Sequence, residues 1–411
     1  MIKQALFIAF TLLALYGKST TLWVAPGTAV PNLEAALNQC HNGDTIRVKK
    51  AVYPCVNVFI NKSITLIGED YPVLDGQLKD EVLTITANDV SIEGFEVMNT
   101  RMGSIKDYAG IRVFKAQRIS ILNNKLTNTF FGIYLSDSRN VLVKGNHMVG
   151  ASYGKSDAGN GIHLWKCEYI TITGNHSEGH RDGIYFEFAK HCWIDHNFSE
   201  KNFRYGLHFM YSNGDTYMYN RFCNNGTGVA VMYSQDVNMQ YNQFTDNWGG
   251  SAYGWLLKEI HSSIISRNTF QNNTIAIFME GCNRISMREN DMIRNGYALK
   301  IMANCLNDTL EYNNFSGNTF DVSTNGSLQE NLVDYNYWDK YEGYDLNHDG
   351  IGDVPYRPVS LYAQVVEQMP YSMMLYRSLI TVIMDRMEKA VPTVMPDRIE
   401  DAHPNMHKIK R

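Results

Sequence analysis

The chain has 411 residues, a formal net charge of −5 and 44% hydrophobic residues. A chain of this size can bury a large core, in one long domain or in two domains of ordinary size. Lysine and arginine show no strong excess and are scattered along the sequence, which argues against a nucleic-acid-binding protein.

Residues 1–20 have the composition of an export signal. Lys3 supplies the positive charge, residues 5–16 are apolar, and residues 17–20 are small and polar. Twelve apolar-rich residues are too few to span a bilayer, so we expect cleavage and a mature protein in the periplasm.

The seven cysteines give no clear disulfide pattern. Cys40 and Cys55 could pair in an oxidising compartment, but spacing alone does not decide this. The other cysteines fall at different repeat positions, so we expect most of them to be buried free thiols.

Residues 21–54 are predicted to form an N-terminal cap. Residues 33–40 are the one early helical stretch, and a helix there can cover the apolar end of the first coil of a stacked structure.

An internal repeat dominates the centre of the chain. The recurring asparagines, 22 to 29 residues apart, are Asn124, Asn146, Asn175, Asn197, Asn220, Asn242, Asn268, Asn290 and Asn314. Within each unit apolar residues alternate with period two, as at Ile119 and Ile121, which indicates strands. Units of this length must stack on their neighbours. We therefore predict an all-β, right-handed parallel β-helix over residues 55–320, in which stacked asparagine amides hydrogen-bond along the axis and occupy left-handed turns.

Other repeat folds fit less well. A leucine-rich frame is absent, the unit is longer than 18 residues, and the alternation excludes a helical repeat. Two segments, 146–161 and 248–253, exceed the period; loops extruded from a scaffold often mark a working face.

Two columns of side chains are predicted to face outward from the strands that follow the repeat glycines. The first column is Tyr134, His163, Tyr185, His208, Ala230 and Leu256. The second column is Ser136, Trp165, Glu187, Met210, Met232 and Lys258.

Met210 and Met232 should therefore be lateral neighbours on consecutive coils, with His208 two residues from Met210 on the same face. Two thioethers and an imidazole suit Cu(I), whereas Zn²⁺ and Ca²⁺ do not favour thioether sulfur. We predict a transient Cu(I) site at His208, Met210 and Met232, with His163 and Glu187 nearby. The alternative is that these side chains pack beneath a loop or against a partner chain.

Seven of the twelve histidines fall between residues 147 and 208. His147 and His176 directly follow repeat asparagines, so we expect them to stack in turns or lie on the surface rather than bind metal.

A second polar motif lies within residues 321–360, the predicted end of the coil. Oxygen-bearing side chains alternate before Gly350, as in a calcium loop, at Asp345, Asn347, Asp349 and Asp353. Tyr356 stands where the final glutamate of such a loop is expected, so the alternatives are a Ca²⁺ site and a polar turn.

An enzymatic function is the main alternative. Parallel β-helices also host polysaccharide lyases and epimerases, which need charged groups close together on one face. Glu187 and Lys258 lie three coils apart, about 14 Å. Tyr185, His163 and Asp182 are the other candidates for acid and base on a polyuronate.

Residues 361–411 are predicted to form a helical tail. Apolar residues from Leu375 to Val391 recur at helical spacing, and the charges among them argue against a transmembrane helix. The helix is expected either to cap the coil or to dock onto a membrane partner, and residues 392–411 to be loosely ordered.

Taken together, these segments resemble the NosD family. The blocks that carry the resemblance are the export signal, the coil repeat, YGLHFMYS at 205–212 followed by GVAVMYS, YGWLLKE at 253–259, and NYWDKYEGYDLNHDGIGDVPYRP at 336–358. The resemblance implies a periplasmic, non-catalytic β-helix subunit that works with the membrane and ATPase subunits of an ABC transporter. It also implies supply of copper, or of copper and sulfur, to the copper centres of nitrous oxide reductase in denitrification, with a copper chaperone as a further partner.

Overall fold

The structure is a computed structural model, and it describes residues 19–103, 106–151, 158–250, 252–328, 330–390 and 399–410. The predicted export signal therefore lies outside the described residues except for its last two positions. The same holds for residues 152–157 and 251 in the two predicted loops.

The described chain forms three long parallel sheets, because each coil places equivalent segments beside those of the next coil. The 14-stranded sheet contains Thr21–Val24, Thr45–Val48, Thr65–Gly68, Ser91–Glu93, Gln117–Leu122, Arg139–Lys144, Glu168–Thr173, Trp193–Asp195, Thr216–Met218, Asn238–Gln240, Ile264–Ser266, Ser286–Arg288, Thr309–Glu311 and Leu332–Asp334. The 12-stranded sheet contains Val58–Ile60, Leu83–Ile85, Ala109–Phe114, Phe131–Ser136, Ile162–Trp165, Asp182–Glu187, Tyr205–Met210, Thr227–Met232, Tyr253–Lys258, Ile275–Glu280, Tyr297–Ile301 and Phe320–Ser323. The 13-stranded sheet contains Val52–Pro54, Val73–Asp75, Glu96–Met98, Lys125–Thr129, His147–Gly150, His176–Glu178, Phe198–Glu200, Arg221–Cys223, Gln243–Thr245, Thr269–Gln271, Asp291–Ile293, Asn314–Ser316 and Tyr337–Trp338.

The predicted parallel β-helix is confirmed. Its strands begin at Thr21–Val24, in the segment predicted as an N-terminal cap, and continue to Tyr337–Trp338, within the predicted coil end over residues 321–360. Alternate residues of the strands fill a continuous apolar core: Ile184, Phe186, Leu207 and Phe209 are at most 1% exposed. The seven cysteines are free and buried, so Cys40 and Cys55 are not paired.

The stacked asparagines form a hydrogen-bonded ladder inside the coil. The backbone N–H of each ladder residue donates to the side-chain oxygen of the next, as from Asn197 to Asn220 and from Asn220 to Asn242, both at 3.0 Å. Asn313, not the predicted Asn314, continues the ladder, because the coil after Asn290 has 23 residues. Asn314 donates instead to Asp291.

The predicted backbone conformation of the ladder asparagines is wrong. The residue before each of them takes the left-handed turn, as at Gly174 (φ 63°), His196 (φ 53°) and Tyr219 (φ 56°). The side chain of the ladder residue itself points into the coil, where it forms hydrogen bonds with buried backbone N–H and carbonyl groups.

A second ladder was not predicted. It runs five residues after the first, through Asn202, Asn225, Asn247, Asn273, Asn295 and Asn318. Both ladders fix the register in which consecutive coils stack, and this register positions every outward column.

The described residues form three α-helices, which lie at the ends of the coil. Helix α1 (Leu33–Gln39) begins after Asn32, whose side chain accepts the Ala35 N–H, and covers the first coil as predicted. Helix α2 (Leu361–Gln368) packs Tyr362, Ala363 and Val366 near Phe320. A 3₁₀ helix (Pro370–Leu375) and α3 (Leu379–Ala390) follow, so the predicted single tail helix is interrupted at Arg377 (φ 62°).

The end of the chain is better ordered than predicted. Residues 391–398 lie outside the described part, but Asp401 is fully buried and its carboxylate accepts hydrogen bonds from the Asn336 backbone (3.0 Å) and the Trp338 indole (2.8 Å). Asp401 thus terminates the first asparagine ladder, and the expectation of a loosely ordered tail is wrong for residues 399–410.

Candidate functional site

The two outward columns of the 12-stranded sheet have the predicted register. Tyr134, His163, Tyr185 and His208, here called the tyrosine–histidine column, pair in sequence. Glu187, Met210 and Met232, here called the methionine column, pair beside it. Met210 and Met232 are direct register partners on adjacent strands, which is the premise of the copper prediction.

The rings of the tyrosine–histidine column stack along the coil axis, with successive centroids 4.4, 4.8 and 4.9 Å apart. Although they lie on the outer face, His163 is only 8% and His208 only 4% exposed. Neighbouring rings cover them: Phe131 lies 5.2 Å from His163, and Tyr205 lies 4.6 Å from His208. The column is therefore a partly dry surface, in which electrostatic interactions are stronger than in water.

Asp182 and Arg204 surround one side of His208. The Asp182 carboxylate lies 3.4 Å from His208 Nδ1, and Arg204 Nη2 lies 3.2 Å from the same atom. Arg204 Nε also donates to Asp182 at 2.9 Å. Burial raises the pKa of Asp182, but hydrogen bonds from His208 and Arg204 outweigh it, so its pKa lies below the usual value and the carboxylate is charged.

His208 has one ring nitrogen free for a ligand. Two groups face Nδ1: the Asp182 carboxylate, which can only accept a hydrogen bond, and the Arg204 guanidinium, which can only donate one. The tautomer with its proton on Nδ1 pairs with Asp182, and it is the tautomer that a metal ligand at Nε2 requires. Nε2 is buried and has no hydrogen-bond partner among the described residues. Burial lowers the pKa of His208, so the ring is neutral at neutral pH, and in the tautomer paired with Asp182 its lone pair is on Nε2. A carboxylate behind a histidine is the arrangement that orients metal-bound imidazoles.

Tyr185 connects the two columns. Its hydroxyl donates to Glu187 at 3.1 Å and lies 3.7 Å from Met210 Sδ. Met210 and Met232 are both half-buried. Soft sulfur and neutral imidazole are the donors that favour a monovalent soft metal ion.

His163 does not share this site. Tyr185 stands between it and His208, so the two histidines are two strand spacings, roughly 10 Å, apart. His163 Nδ1 also lies 3.0 Å from the Asn160 side chain. Burial lowers the pKa of His163 to about 3 and that of His180 to about 4, so both imidazole rings are neutral at neutral pH.

The acidic loop uses its side chains to close a turn. Asp345 accepts hydrogen bonds from the Asp349 and Gly350 N–H groups, and Asp353 accepts one from Leu346. Asn347 donates to Asp349 at 3.0 Å. These contacts satisfy the oxygens within the loop, and the calcium site stays a prediction.

The charged groups considered for an enzyme are separated. Two residues of the methionine column lie between Glu187 and Lys258, and Lys258 pairs with Glu280 at 3.2 Å. Asp182 is enclosed by Arg204 and His208 rather than facing open solvent.

Arg204 was missed by sequence reasoning. The signal was present, because Arg204 precedes Tyr205 and Asp182 pairs with Tyr205 in register on the adjacent strand. In a coil with this repeat, residues about 22 positions apart lie side by side on adjacent strands. The spacing of Asp182 and Arg204 was therefore a signal that the two residues are neighbours.

The described part of the chain contains no helix long and apolar enough to cross a membrane.

Comparison with known proteins adds independent findings. Residues 150–347 match the family described as "Periplasmic copper-binding protein (NosD)", and this segment contains the methionine column and all of the tyrosine–histidine column except Tyr134. A protein of Stutzerimonas stutzeri named "Probable ABC transporter binding protein NosD" is 28% identical over 396 residues, covering 84% of this chain and 83% of the relative. A protein of Pseudomonas aeruginosa with the same name is 27% identical over 371 residues, covering 85% of each.

Solved structures share the fold at low identity. The A-module of the mannuronan C-5 epimerase AlgE6 of Azotobacter vinelandii is 12% identical with a TM-score of 0.55, over 73% of this chain and 86% of that chain. PfbA, a surface adhesin of Streptococcus pneumoniae, is 11% identical with a TM-score of 0.58, over 75% and 88%. An epimerase and an adhesin on one scaffold show that this fold alone does not fix an activity.

Proposed function

The chain belongs to the NosD family, and on that premise we propose that it binds Cu(I) transiently through His208, Met210 and Met232. In this proposal the protein works without catalysis of its own, handing copper, or copper with sulfur, towards the copper centres of nitrous oxide reductase. An ABC transporter and a copper chaperone are its partners in that process.

One observation carries the copper proposal: a buried His208 Nε2 without a partner among the described residues shares a face with two methionines in direct register. Each element of the site has a separate role. The thioethers select a soft ion, the neutral imidazole adds a nitrogen donor, and Asp182 orients the ring. Glu187 borders Met210 and supplies negative charge near a bound cation.

Anaerobic titration with Cu(I) against a competing chelator tests the proposal. We compare the full chain with the variant Met210→Leu/Met232→Leu, because leucine keeps the volume but removes both sulfurs. A matched control, Met239→Leu, removes a methionine that is 3% exposed in the core. The proposal requires at least a tenfold loss of affinity in the double variant alone, and equal affinities would refute it.

We further propose that α3 docks onto the transporter. Its apolar side chains remain exposed: Leu379 is 75%, Val382 52% and Met387 58% accessible. A helix that only capped the coil would bury these groups. The two relatives are each named "Probable ABC transporter binding protein NosD", and these names support an association with a transporter.

Co-purification with the transporter subunits tests the docking proposal. Leu379→Asp/Ile383→Asp should abolish it, because charges on the apolar face oppose burial. Leu346→Asp, at a 76% exposed leucine of the acidic loop, serves as the control. Retained association in the α3 variant would contradict the proposal.

The alternative, a polyuronate lyase or epimerase, has weaker support from this face. It rests on the fold, whereas Glu187 and Lys258 are three coils apart and Lys258 is paired with Glu280. Release of unsaturated or epimerised uronate from a polyuronate would favour that alternative over the copper proposal.

A further inference from the structure

A second histidine cluster lies on the outer face of the 13-stranded sheet, away from the methionine column. His147 and His176 are register partners on adjacent strands, and their rings stack in parallel at 4.6 Å with an interplanar angle of 6°. Glu178 lies two residues after His176 on the same strand, and its register partner on the following strand is Glu200. The repeat therefore places two imidazoles beside two carboxylates.

The contacts run diagonally between coils. His147 Nε2 lies 3.6 Å from Glu178 Oε1, and His176 Nε2 lies 3.2 Å from Glu200 Oε1. Ligand atoms of His147, His176 and Glu178 all lie within 4.8 Å of one another. Among the described residues this is the one group of three or more histidine, cysteine or acidic side chains that meets this distance.

These distances are close to those of a metal site. Two donors on a tetrahedral ion, each about 2.0 to 2.1 Å from it, lie about 3.4 Å apart. The His147–Glu178 distance of 3.6 Å is close to this value, and the pairs that involve His176 lie within 4.8 Å. The side chains of His147 and Glu178 are 44% and 27% exposed, whereas the Nε2 atom of His147 is itself buried and has no hydrogen-bond partner among the described residues.

Lys201 completes the cluster. Its ammonium group lies 3.6 Å from Glu178 and 3.3 Å from Glu200, and it is 62% exposed. The positive charge of the lysine offsets part of the negative charge of the two carboxylates, at the position that a metal ion would otherwise occupy. A divalent ion would compete with it for the same oxygens.

We propose that His147, His176 and Glu178 form a second metal site, for a divalent ion that prefers imidazole and carboxylate ligands, such as Zn²⁺. Glu200 holds the His176 ring, and Lys201 occupies the site electrostatically when no ion is bound. The donor set differs from that of the methionine column, because it has no sulfur and includes a carboxylate as a ligand. The second site does not depend on the Cu(I) proposal.

Calorimetric titration of the full chain with Zn²⁺ tests this site. We expect one ion per chain, at least tenfold weaker binding in Glu178→Gln and in His147→Ala, and tighter binding in Lys201→Met. His196→Ala is the matched control, because His196 is a 62% exposed histidine that stacks on Tyr219 and pairs with Asp195 on the 14-stranded sheet. Its Zn²⁺ binding should equal that of the unmodified chain.

Two further outcomes distinguish this site from the proposed Cu(I) site. Zn²⁺ binding that persists in Met210→Leu/Met232→Leu supports a separate site, and binding lost with those methionines overturns it. Zn²⁺ affinity unchanged in Glu178→Gln also overturns it. Substitution with Co²⁺ gives a readout of geometry, since tetrahedral coordination produces strong visible absorption that Glu178→Gln should remove.

Discussion

The outer faces of the 12-stranded and 13-stranded sheets carry histidines in the same way, yet they differ in chemistry. On the 12-stranded sheet His208 is 4% exposed, with Asp182 behind its ring and two methionines beside it. On the 13-stranded sheet the side chains of His147 and His176 are 44% and 31% exposed, with carboxylates beside them. The same coil geometry therefore produces two different clusters. The cluster around His208 is largely shielded from solvent and has soft thioether groups, whereas the cluster around His147 is more exposed to solvent and has harder carboxylate groups.

The difference shows that the scaffold supplies only the spacing. Both clusters use strand neighbours about 4.8 Å apart. Covering rings such as Tyr205 and the identity of the flanking residue, methionine or glutamate, decide whether a site is dry and which ion it favours.

Removing the carboxylate behind His208 has the largest expected effect. Asp182→Ala leaves His208 and Arg204 without their charged partner, so the free energy of unfolding should fall by about 3 kcal/mol. Cu(I) affinity should fall about 10- to 100-fold, because the ring loses its orienting group. Chemical denaturation and chelator competition measure the two effects.

The control for this prediction is Asp89→Ala. Asp89 also forms a two-point pair with an arginine, Arg118, but both side chains are exposed. Exposed pairs contribute little, so this variant should lose far less stability. Equal losses would mean that the dry environment of Asp182 has no special effect.

Acid should reveal the burial of His163. Its pKa lies at about 3 in the folded chain against 6.5 when unfolded, so only the unfolded chain takes up the proton as the pH falls below 6.5. Stability is complete above pH 6.5 and is lost on acidification, by about 2 kcal/mol at pH 5. The variant His163→Phe lacks this titrating group, so its free energy of unfolding should rise by about 2 kcal/mol relative to that of the original chain between pH 7 and pH 5. Denaturation at the two pH values measures this difference.

Asp215 provides the opposite case. Burial raises its pKa to about 7, so the folded chain binds a proton that the unfolded chain releases, and this stability is lost as the pH rises from about 4 to 7. Asp215→Asn should therefore lose stability relative to the original chain on acidification. If the relative stabilities of His163→Phe and Asp215→Asn changed in the same direction on acidification, these pKa assignments would be contradicted.

The hydroxyl that joins the two columns has a moderate expected effect. Tyr185→Phe removes the hydrogen bond to Glu187 and the contact with Met210, which should lower the free energy of unfolding by about 1 kcal/mol. Cu(I) affinity should change only a few-fold, because the proposed ligands remain. A loss as large as in Met210→Leu/Met232→Leu would place Tyr185 among the ligands.

The smallest effect is expected on the other face. In the metal-free chain, His176→Ala removes stacking with His147 and Phe198 at a half-exposed position, so stability should change by no more than about 0.5 kcal/mol. Thermal denaturation without and with Zn²⁺ measures it. A large loss without metal would show that this histidine pair is structural.

The sequence predicted the coil, the outward columns and the contact between Met210 and Met232, because all of these follow from a period of about 22 residues and alternation along strands. It did not predict the second asparagine ladder, although Asn202, Asn225 and Asn247 repeat as regularly as the first. Burial of His208 was also missed. The repeat period predicts which residues are lateral neighbours in a column, whereas the covering residue Tyr205 is the first residue of its strand and lies outside both columns.

The end of the chain was misjudged for a different reason. Residues 399–410 have a polar composition, which indicates loose structure, yet Asp401 replaces an asparagine as the last acceptor of the ladder. A single carboxylate that meets three buried donors cannot be recognised from composition.

X-ray absorption at the copper edge of the Cu(I)-loaded full chain tests the central claim most directly. The account predicts two sulfur neighbours and one imidazole nitrogen, with both sulfurs lost in Met210→Leu/Met232→Leu. A copper environment of nitrogen and oxygen only, or one unchanged in that variant, would contradict it.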